Sequence, residues 1–156
     1  MSKNELEKIV EYIVAQGLAA IANNTEEQQA TLDYVAIFSK DENEFNELMQ
    51  VAETLGEEVD KETIKTGRTF LLDDVFVTPA GNLLLLKIRK PDPTRLQRGA
   101  PDFKVPDYQS FKEKYIKKSG NFTLMLKTGY EMIEIKGVDV LVYIPSKPLG
   151  DRLKSR

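Results

Sequence analysis

The run Tyr34-Val-Ala-Ile-Phe38 decides the fold, because it opens a pattern of strand, helix and three strands that the chain then repeats. Five consecutive apolar residues of this kind indicate a buried strand. Asp41 follows as the N-cap of a helix whose apolar face begins at Phe45, and Gly56 ends that helix. The strands predicted after it lie near residues 59–65, 68–77 and 83–90.

A second copy of the pattern occupies residues 100–148. Asp107 is the predicted N-cap of a helix that ends before Gly120, and the strands predicted after it are Phe122–Lys127, Tyr130–Lys136 and Val138–Pro145. Matching landmarks recur in the same order in both copies: Asp41 and Phe45 with Asp107 and Phe111, Lys65-Thr66-Gly67 with Lys127-Thr128-Gly129, and Lys90-Pro91 with Lys147-Pro148. This common order predicts two βαβββ modules.

The segment between the two copies is rich in proline. Four of the seven prolines lie between Pro91 and Pro106. Because proline fixes its own backbone and has no N–H to donate, we expect neither a helix nor a central strand here. The segment is predicted to be a connector that ends in a short strand.

The N-terminal residues predict a separate amphipathic helix. Ser2 and Glu5 form a capping box, and apolar residues then recur at helical spacing over residues 3–22. This apolar stripe must lie on the sheets of the same chain or on a second subunit, and packing within the chain is favoured. The predicted organisation is a single compact unit divided into residues 1–33 (helix and connector), 34–91 and 92–148 (the two modules) and 149–156 (a C-terminal tail).

Composition excludes several kinds of chemistry. The chain has no cysteine and no histidine, which excludes disulfides, thiolate chemistry, the usual zinc sites and imidazole catalysis. No apolar run approaches the roughly 20 residues of a membrane span, and the first residues lack the apolar stretch of a secretory signal. We therefore expect a cytoplasmic protein without membrane association.

Charge is distributed unevenly along the chain. Residues 1–62 hold 15 acids and 4 bases, whereas residues 63–156 hold 10 acids and 18 bases. The basic half can attract an anion, or the two halves can simply attract each other. The strongest basic patch is residues 87–104, but the chain has no nucleic-acid motif and a pI of about 5.2, so we do not expect nucleic-acid binding.

The repeated βαβββ order resembles the vicinal oxygen chelate superfamily, which includes glyoxalases, bleomycin-resistance proteins and extradiol dioxygenases. The resemblance implies curled sheets around a shared cleft, and in many members His and Glu from the first and last strands of the modules hold a divalent metal there. The corresponding neighbourhoods in this chain are residues 34–36, 86–87, 100–102 and 142–143. Only Asp102 is a good ligand for a hard cation, and Lys87 would repel one. The resemblance therefore favours a metal-free binding role of the bleomycin-resistance type, with no cofactor.

Strand alternation predicts which side chains face the cleft. In the strand 83–90, Lys87 and Arg89 share one face, where they can bind a carboxylate or phosphate or can form a solvated, charged strand face. In the strand 130–136, Ile133 and Ile135 are predicted to face the covering helix, and Tyr130, Met132 and Glu134 are predicted to face the cleft. Matching the two Lys-Thr-Gly turns makes Arg68 the counterpart of Tyr130, and thus predicts that Arg68, Phe70 and Leu72 also face the cleft.

These observations lead to three functional hypotheses. The first is an α+β protein that binds a small anionic molecule between its modules; its predicted ligand-binding residues are Arg68, Lys87, Arg89, Tyr130 and Tyr143. The second is a protein-interaction module or homo-oligomer subunit that uses the N-terminal helix or the basic connector. The third is a lyase-like or isomerase-like enzyme with Glu134 as general base and Arg or Lys stabilisation, either without metal or with a metal held by Asp102 and Glu134. A solvated or ion-paired Glu134 is the structural alternative to the third.

Overall fold

The computed structural model describes residues 1–59, 65–118 and 120–154. The chain is α+β, and an N-terminal helix precedes the two modules. Its elements in chain order are α1 (Lys3–Asn24), β1 (Thr31–Phe38), α2 (Glu42–Leu55), β2 (Gly56–Val59), β3 (Gly67–Thr78), β4 (Gly81–Arg89), β5 (Gly99–Lys104), α3 (Tyr108–Tyr115), β6 (Phe122–Lys127), β7 (Tyr130–Lys136), β8 (Leu141–Pro145) and α4 (Leu149–Lys154).

The strands form one curled eight-stranded sheet in the order β2-β3-β4-β1-β5-β8-β7-β6. Within each module the first strand lies beside the last and runs parallel to it, as β1 does with β4 and β5 with β8. The two first strands, β1 and β5, pair antiparallel at the centre of the sheet. The predicted pair of βαβββ modules is thus present, and the modules join through their first strands.

One face of the sheet is covered by helices and carries the main core. α1 packs on β1, β5, β7 and β8, while α2 packs on β2, β3 and β4. α3 reaches the edge of the sheet, where the Tyr115 ring stacks on Phe122 of β6 with the centroids 5.8 Å apart. The opposite, concave face carries a smaller cluster, whose buried members are Ala36, Phe38, Ala100, Met132, Leu141 and Tyr143.

The apolar stripe of α1 is buried within the chain. Its buried residues include Leu6, Val10, Ile13 and Val14. Gly17 makes the approach to the sheet close, since a Cβ at that position would lie 2.6 Å from Cγ of Pro101. Packing within the chain therefore occupies the surface that the interaction hypothesis had assigned to this helix.

The expectation that the proline-rich segment contains no central strand was wrong. β5 includes Pro101 and lies between β1 and β8. Its ladder to β8 is short, consisting of the pair Asp102–Tyr143 and an isolated bridge from Gly99 to Val140. A sparse ladder on one side tolerates a residue that has no N–H to donate.

Other element boundaries differ by a few residues from the prediction. The first strand begins at Thr31, and the last begins at Leu141 because Asp139 adopts a positive φ of 60° before it. Most of the predicted strand at 59–65 lies outside the described residues. The C-terminal segment contains α4, which contacts β1. None of the helices in the described residues combines the length and apolar composition that crossing a bilayer requires.

The predicted N-cap of α2 offers a direct test of the helix assignment. The Asp41 carboxylate accepts a hydrogen bond from the Glu44 N–H at 2.8 Å. Asp41→Ala is expected to lower the free energy of unfolding by about 1 kcal/mol, because the N–H loses its acceptor. Asp41→Asn keeps an acceptor and should stay near wild type in urea denaturation. Equal losses in the two variants would contradict the capping role.

Candidate functional site

A cavity of about 210 Å³ opens on the concave face of the sheet. Both modules, the connector and α4 contribute to its wall. The lining residues are Tyr34, Thr66, Thr69, Lys87, Arg89, Arg95, Met125, Lys127, Tyr130, Met132, Tyr143, Leu149 and Arg152. Five of them are cationic and none is acidic, so the lining favours a negatively charged ligand.

Lys87 is positioned by the regular ladder at the centre of the first module. It lies opposite Ala36 of β1 on one side and Thr69 of β3 on the other. The ammonium group donates a hydrogen bond to Thr66 Oγ1 at 2.7 Å.

Arg89 and Arg95 bring two guanidinium groups to the same cavity. Arg89 lies over the Phe38 ring, 5.2 Å from its centroid, and its Nη2 is 3.9 Å from Asp92 Oδ2. Arg95 belongs to the connector and donates a long hydrogen bond of 3.4 Å to the Tyr143 hydroxyl. Guanidinium groups can present paired N–H donors to carboxylate or phosphate.

Arg152 enters the site from α4. Its guanidinium carbon lies 4.1 Å from the centroid of the Tyr130 ring, and its Nε donates to the Lys147 carbonyl at 3.0 Å. Stacking on an aromatic face holds a guanidinium in place without neutralising it. The segment predicted as a C-terminal tail therefore supplies a wall of the cavity.

The prediction that Arg68 faces the cleft was wrong. Arg68 lies opposite Ile88, which is buried on the helix-covered face, and its guanidinium forms an ion pair with Glu58 through both Nε and Nη2. The neighbouring side chains predicted to face the cleft with it, Phe70 and Leu72, are buried in the main core.

The error comes from the turn that was used to match the modules. Ala36 and Asp102 each stand five residues before a helix N-cap, and their partners in the last strands are Lys87 and Tyr143. On the next strands of the sheet, Thr69 of β3 lies opposite Lys87 and Glu134 of β7 lies opposite Tyr143. Thr69 and Glu134 therefore occupy equivalent positions in the two modules. The Lys-Thr-Gly match instead aligned Arg68 with Tyr130, which differs from the alignment by strand partners by three residues. Because side chains alternate between the two faces of a strand, a shift by an odd number of residues assigns every side chain to the wrong face.

Glu134 faces the concave side as predicted, directly opposite Tyr143. It is partly exposed and does not line the cavity. Strand β8 separates it from Asp102, which places the two backbones about 10 Å apart. No third carboxyl, imidazole or thiolate group in the described residues joins this pair to form a metal-binding cluster, so a metal ion held by Asp102 and Glu134 stays a prediction that the structure does not support.

Asp102 is buried between two tyrosines of the cavity. It lies opposite Tyr34 on β1 and opposite Tyr143 on β8, which puts the three side chains on the same face. Its side chain is 0% exposed, and neither carboxyl oxygen has a hydrogen-bond partner within the described residues. Thr69 Oγ1, in the cavity lining, is similarly buried and unpartnered in the described part of the chain.

Burial sets the ionisation of this group. Desolvation raises the pKa of Asp102 well above its ordinary value; Asp33 raises it further, and Arg152 and Lys87 oppose the rise. Burial, with a smaller effect of Glu134, raises the pKa of Tyr143 to about 12. Tyr143 therefore keeps its hydroxyl proton at neutral pH and can donate a hydrogen bond to an anion.

The four neighbourhoods implied as metal-ligand positions contribute six side chains to the concave face, namely Tyr34, Ala36, Lys87, Ala100, Asp102 and Tyr143. Two methyl groups, an ammonium, two phenols and a single carboxyl do not form a usual donor set for a divalent cation. Elsewhere in the described residues, no cluster of three or more His, Cys, Asp or Glu side chains could hold a metal.

Of the predicted ligand-binding residues, the structure brings Lys87, Arg89, Tyr130 and Tyr143 together and leaves Arg68 outside. Sequence reasoning missed Tyr34, Thr69, Lys127 and Arg152 in this site, and noted Arg95 only as part of the basic patch. Thr69 could have been found from the correct register, since it directly opposes Lys87. Arg152 gives no such signal, because its position depends on how α4 folds back.

Comparison with known proteins supports the fold alone. The chain is similar to a solved structure named "Structural Genomics, Protein EC4020", with a TM-score of 0.71 and 10% sequence identity over 97% of this chain and 93% of that one. We find no matching protein-family model and no matching curated protein. The similar structure has the same overall architecture, and its name describes no activity.

Proposed function

We propose that the protein binds a small anionic molecule, without a metal ion, in the cavity on its concave face. The observation that carries this proposal is a lining with five cations and no carboxylate. In a partly enclosed site, charges of one sign attract the opposite charge more strongly than they would in open water.

Several contacts support a specific site rather than a diffuse basic surface. Arg89 and Arg152 are held against aromatic rings, while Tyr143 and Thr69 supply hydroxyl groups beside the cations. An anion with two or more oxygen atoms could accept hydrogen bonds from both kinds of group. The volume of about 210 Å³ suits a small metabolite rather than a polymer.

Membership of the vicinal oxygen chelate superfamily is part of the same proposal. It is supported by the two βαβββ modules and by the position of each module's first strand beside its last. A catalytic role for Glu134 has less support, because Glu134 lies outside the cavity lining.

Lys87→Met tests the proposed site. This substitution removes the charge and keeps most of the apolar stem, so the sheet should remain intact. We expect at least about a tenfold loss of affinity for inorganic phosphate, sulfate or succinate, since a hydrogen bond to a charged group contributes about 1.5–3 kcal/mol. Isothermal titration calorimetry and thermal shift measure the change.

Lys136→Met is the matched control. Lys136 lies at the exposed end of β7, outside the cavity lining, and its loss changes the net charge of the protein equally. Affinity in this variant should stay close to wild type. Equal weakening in both variants would indicate a non-specific charge effect, and no binding of any of the three anions by the wild type would remove the proposed function.

A further inference from the structure

Asp102 has no role in the anion site as described so far, yet it lies beneath it. Its carboxyl group is sealed from solvent between Tyr34 and Tyr143, two residues of the cavity lining. Both of its oxygens lack a hydrogen-bond partner in the described residues. An ionised carboxylate in such a position depends on nearby cations for its stability.

Those cations are the ones that line the anion site. Lys87 and Arg152 favour the ionised form of Asp102, whereas burial and the neighbouring Asp33 disfavour it. The charged and titratable groups whose electrostatic interaction with Asp102 is resolved are Asp33 and Tyr34 on β1, Lys87 on β4, Tyr143 on β8 and Arg152 on α4. Arg95 in the connector and Glu134 on β7 interact in turn with Tyr143.

We infer, on the basis of the proposed function, that anion binding in the cavity is coupled to uptake of a proton by Asp102. A bound anion interacts with Lys87 and Arg152 and adds a negative charge close to the buried carboxyl. Both effects disfavour ionised Asp102. The complex therefore holds the carboxyl in its protonated form more strongly than the free protein does.

The sign of the pH dependence follows from this coupling. An anion raises the pKa of Asp102 beyond the value that burial already gives it. The affinity for the anion is then highest at pH values where Asp102 is already protonated in the free protein. It falls as the pH rises from the pKa of Asp102 in the free protein to its higher pKa in the complex. One coupled proton changes affinity by up to about tenfold per pH unit within that interval.

Sulfate is the suitable probe, because it remains a dianion throughout a titration from about pH 5 to pH 9, where ordinary lysine, arginine and tyrosine side chains keep their charge states. Calorimetry in two buffers of different ionisation enthalpy counts the protons taken up on binding. We expect net uptake in the wild type and an affinity that declines with pH. Asp102→Asn should bind sulfate with little uptake and a flatter profile.

Asp33→Asn is the control for the neighbouring carboxyl, and it should retain the coupling. If Asp102→Asn does not fold, carbon NMR of aspartate-labelled wild type replaces it, and the buried carboxyl should titrate at higher pH with sulfate than without. Sulfate binding without proton uptake, or with uptake unchanged in Asp102→Asn, would overturn the inference and leave the anion site standing. Failure of the wild type to bind any of sulfate, phosphate and succinate would overturn the proposed function as well.

Discussion

Replacing Asp102 by asparagine is expected to remove a pH-dependent loss of stability from the folded protein. Burial raises the pKa of Asp102 above that of the same residue in the unfolded chain. The stabilising contribution of the protonated carboxyl to the free energy of unfolding is therefore fully present below about pH 4 and is lost as the pH rises through the folded-state pKa. Relative to Asp102→Asn, the wild type should lose up to about 1.4 kcal/mol of unfolding free energy per pH unit. This loss continues from about pH 4 to the raised folded-state pKa.

Urea denaturation of both proteins at a series of pH values measures this difference. The two proteins are compared by the slope of the free energy of unfolding against pH. The absolute free energies are not compared, because a buried asparagine amide that lacks hydrogen-bond partners changes stability at every pH. Asp73→Asn removes an exposed carboxylate from β3 and shows how far the loss of any acid changes the curve. Parallel curves for wild type and Asp102→Asn would contradict a perturbed, buried carboxyl.

Replacing Gly99 by alanine is expected to lower the free energy of unfolding by about 3 kcal/mol, which is near the upper end for overpacking. A Cβ at this position would lie 2.4 Å from the Ala36 carbonyl oxygen and 2.6 Å from Cδ1 of Ile13. One neighbour is backbone of the central strand and the other is buried in α1, so neither can move without disturbing the core. Alanine's smaller entropy cost offsets only about 1 kcal/mol.

Gly120→Ala provides the comparison, because within the described residues, apart from the chain neighbours of Gly120, no heavy atom lies within 4 Å of the added methyl group. Its free energy of unfolding, measured by urea denaturation, should stay within about 0.5 kcal/mol of wild type. If Gly99→Ala behaved like Gly120→Ala, the close approach of β5 to β1 and α1 would not be a constraint on the fold. Circular dichroism follows both transitions.

Local sequence patterns predicted the first three helices and most strands because those signals are short-range, whereas α4 was missed in the segment predicted as a tail. The carboxylates of Asp41 and Asp107 cap α2 and α3 as expected, and the alternation in β7 correctly placed Ile133 and Ile135 under the helices. The order of these elements was enough to predict the two modules. The position of Pro101 in a central strand was not predicted. A proline is tolerated there because the hydrogen-bond ladder between β5 and β8 is short, and the sequence does not indicate the length of that ladder.

Candidate-site residues were predictable from the sequence only where the face of a side chain followed from alternation within one strand. Lys87 and Arg89 were assigned to the cavity side from alternation within a single strand. Arg68 was misplaced because its assignment relied on aligning two turns, and a shift of three residues reversed its face. Arg152 and Asp102 depend on tertiary arrangement, since the first arrives on a helix that folds back and the second becomes buried only when β1 and β8 flank it.

The antiparallel junction of β1 with β5 relates the two modules as a symmetric dimer would relate two identical chains. In such a dimer every residue occurs twice, so a lysine at position 87 would require a lysine in place of Tyr143. Covalent linkage removes that requirement and lets the counterparts diverge. One half presents a cation and a hydroxyl, Lys87 and Thr69, and the other presents a phenol and a carboxylate, Tyr143 and Glu134. The asymmetry of the concave face is thus a property that two identical chains could not provide.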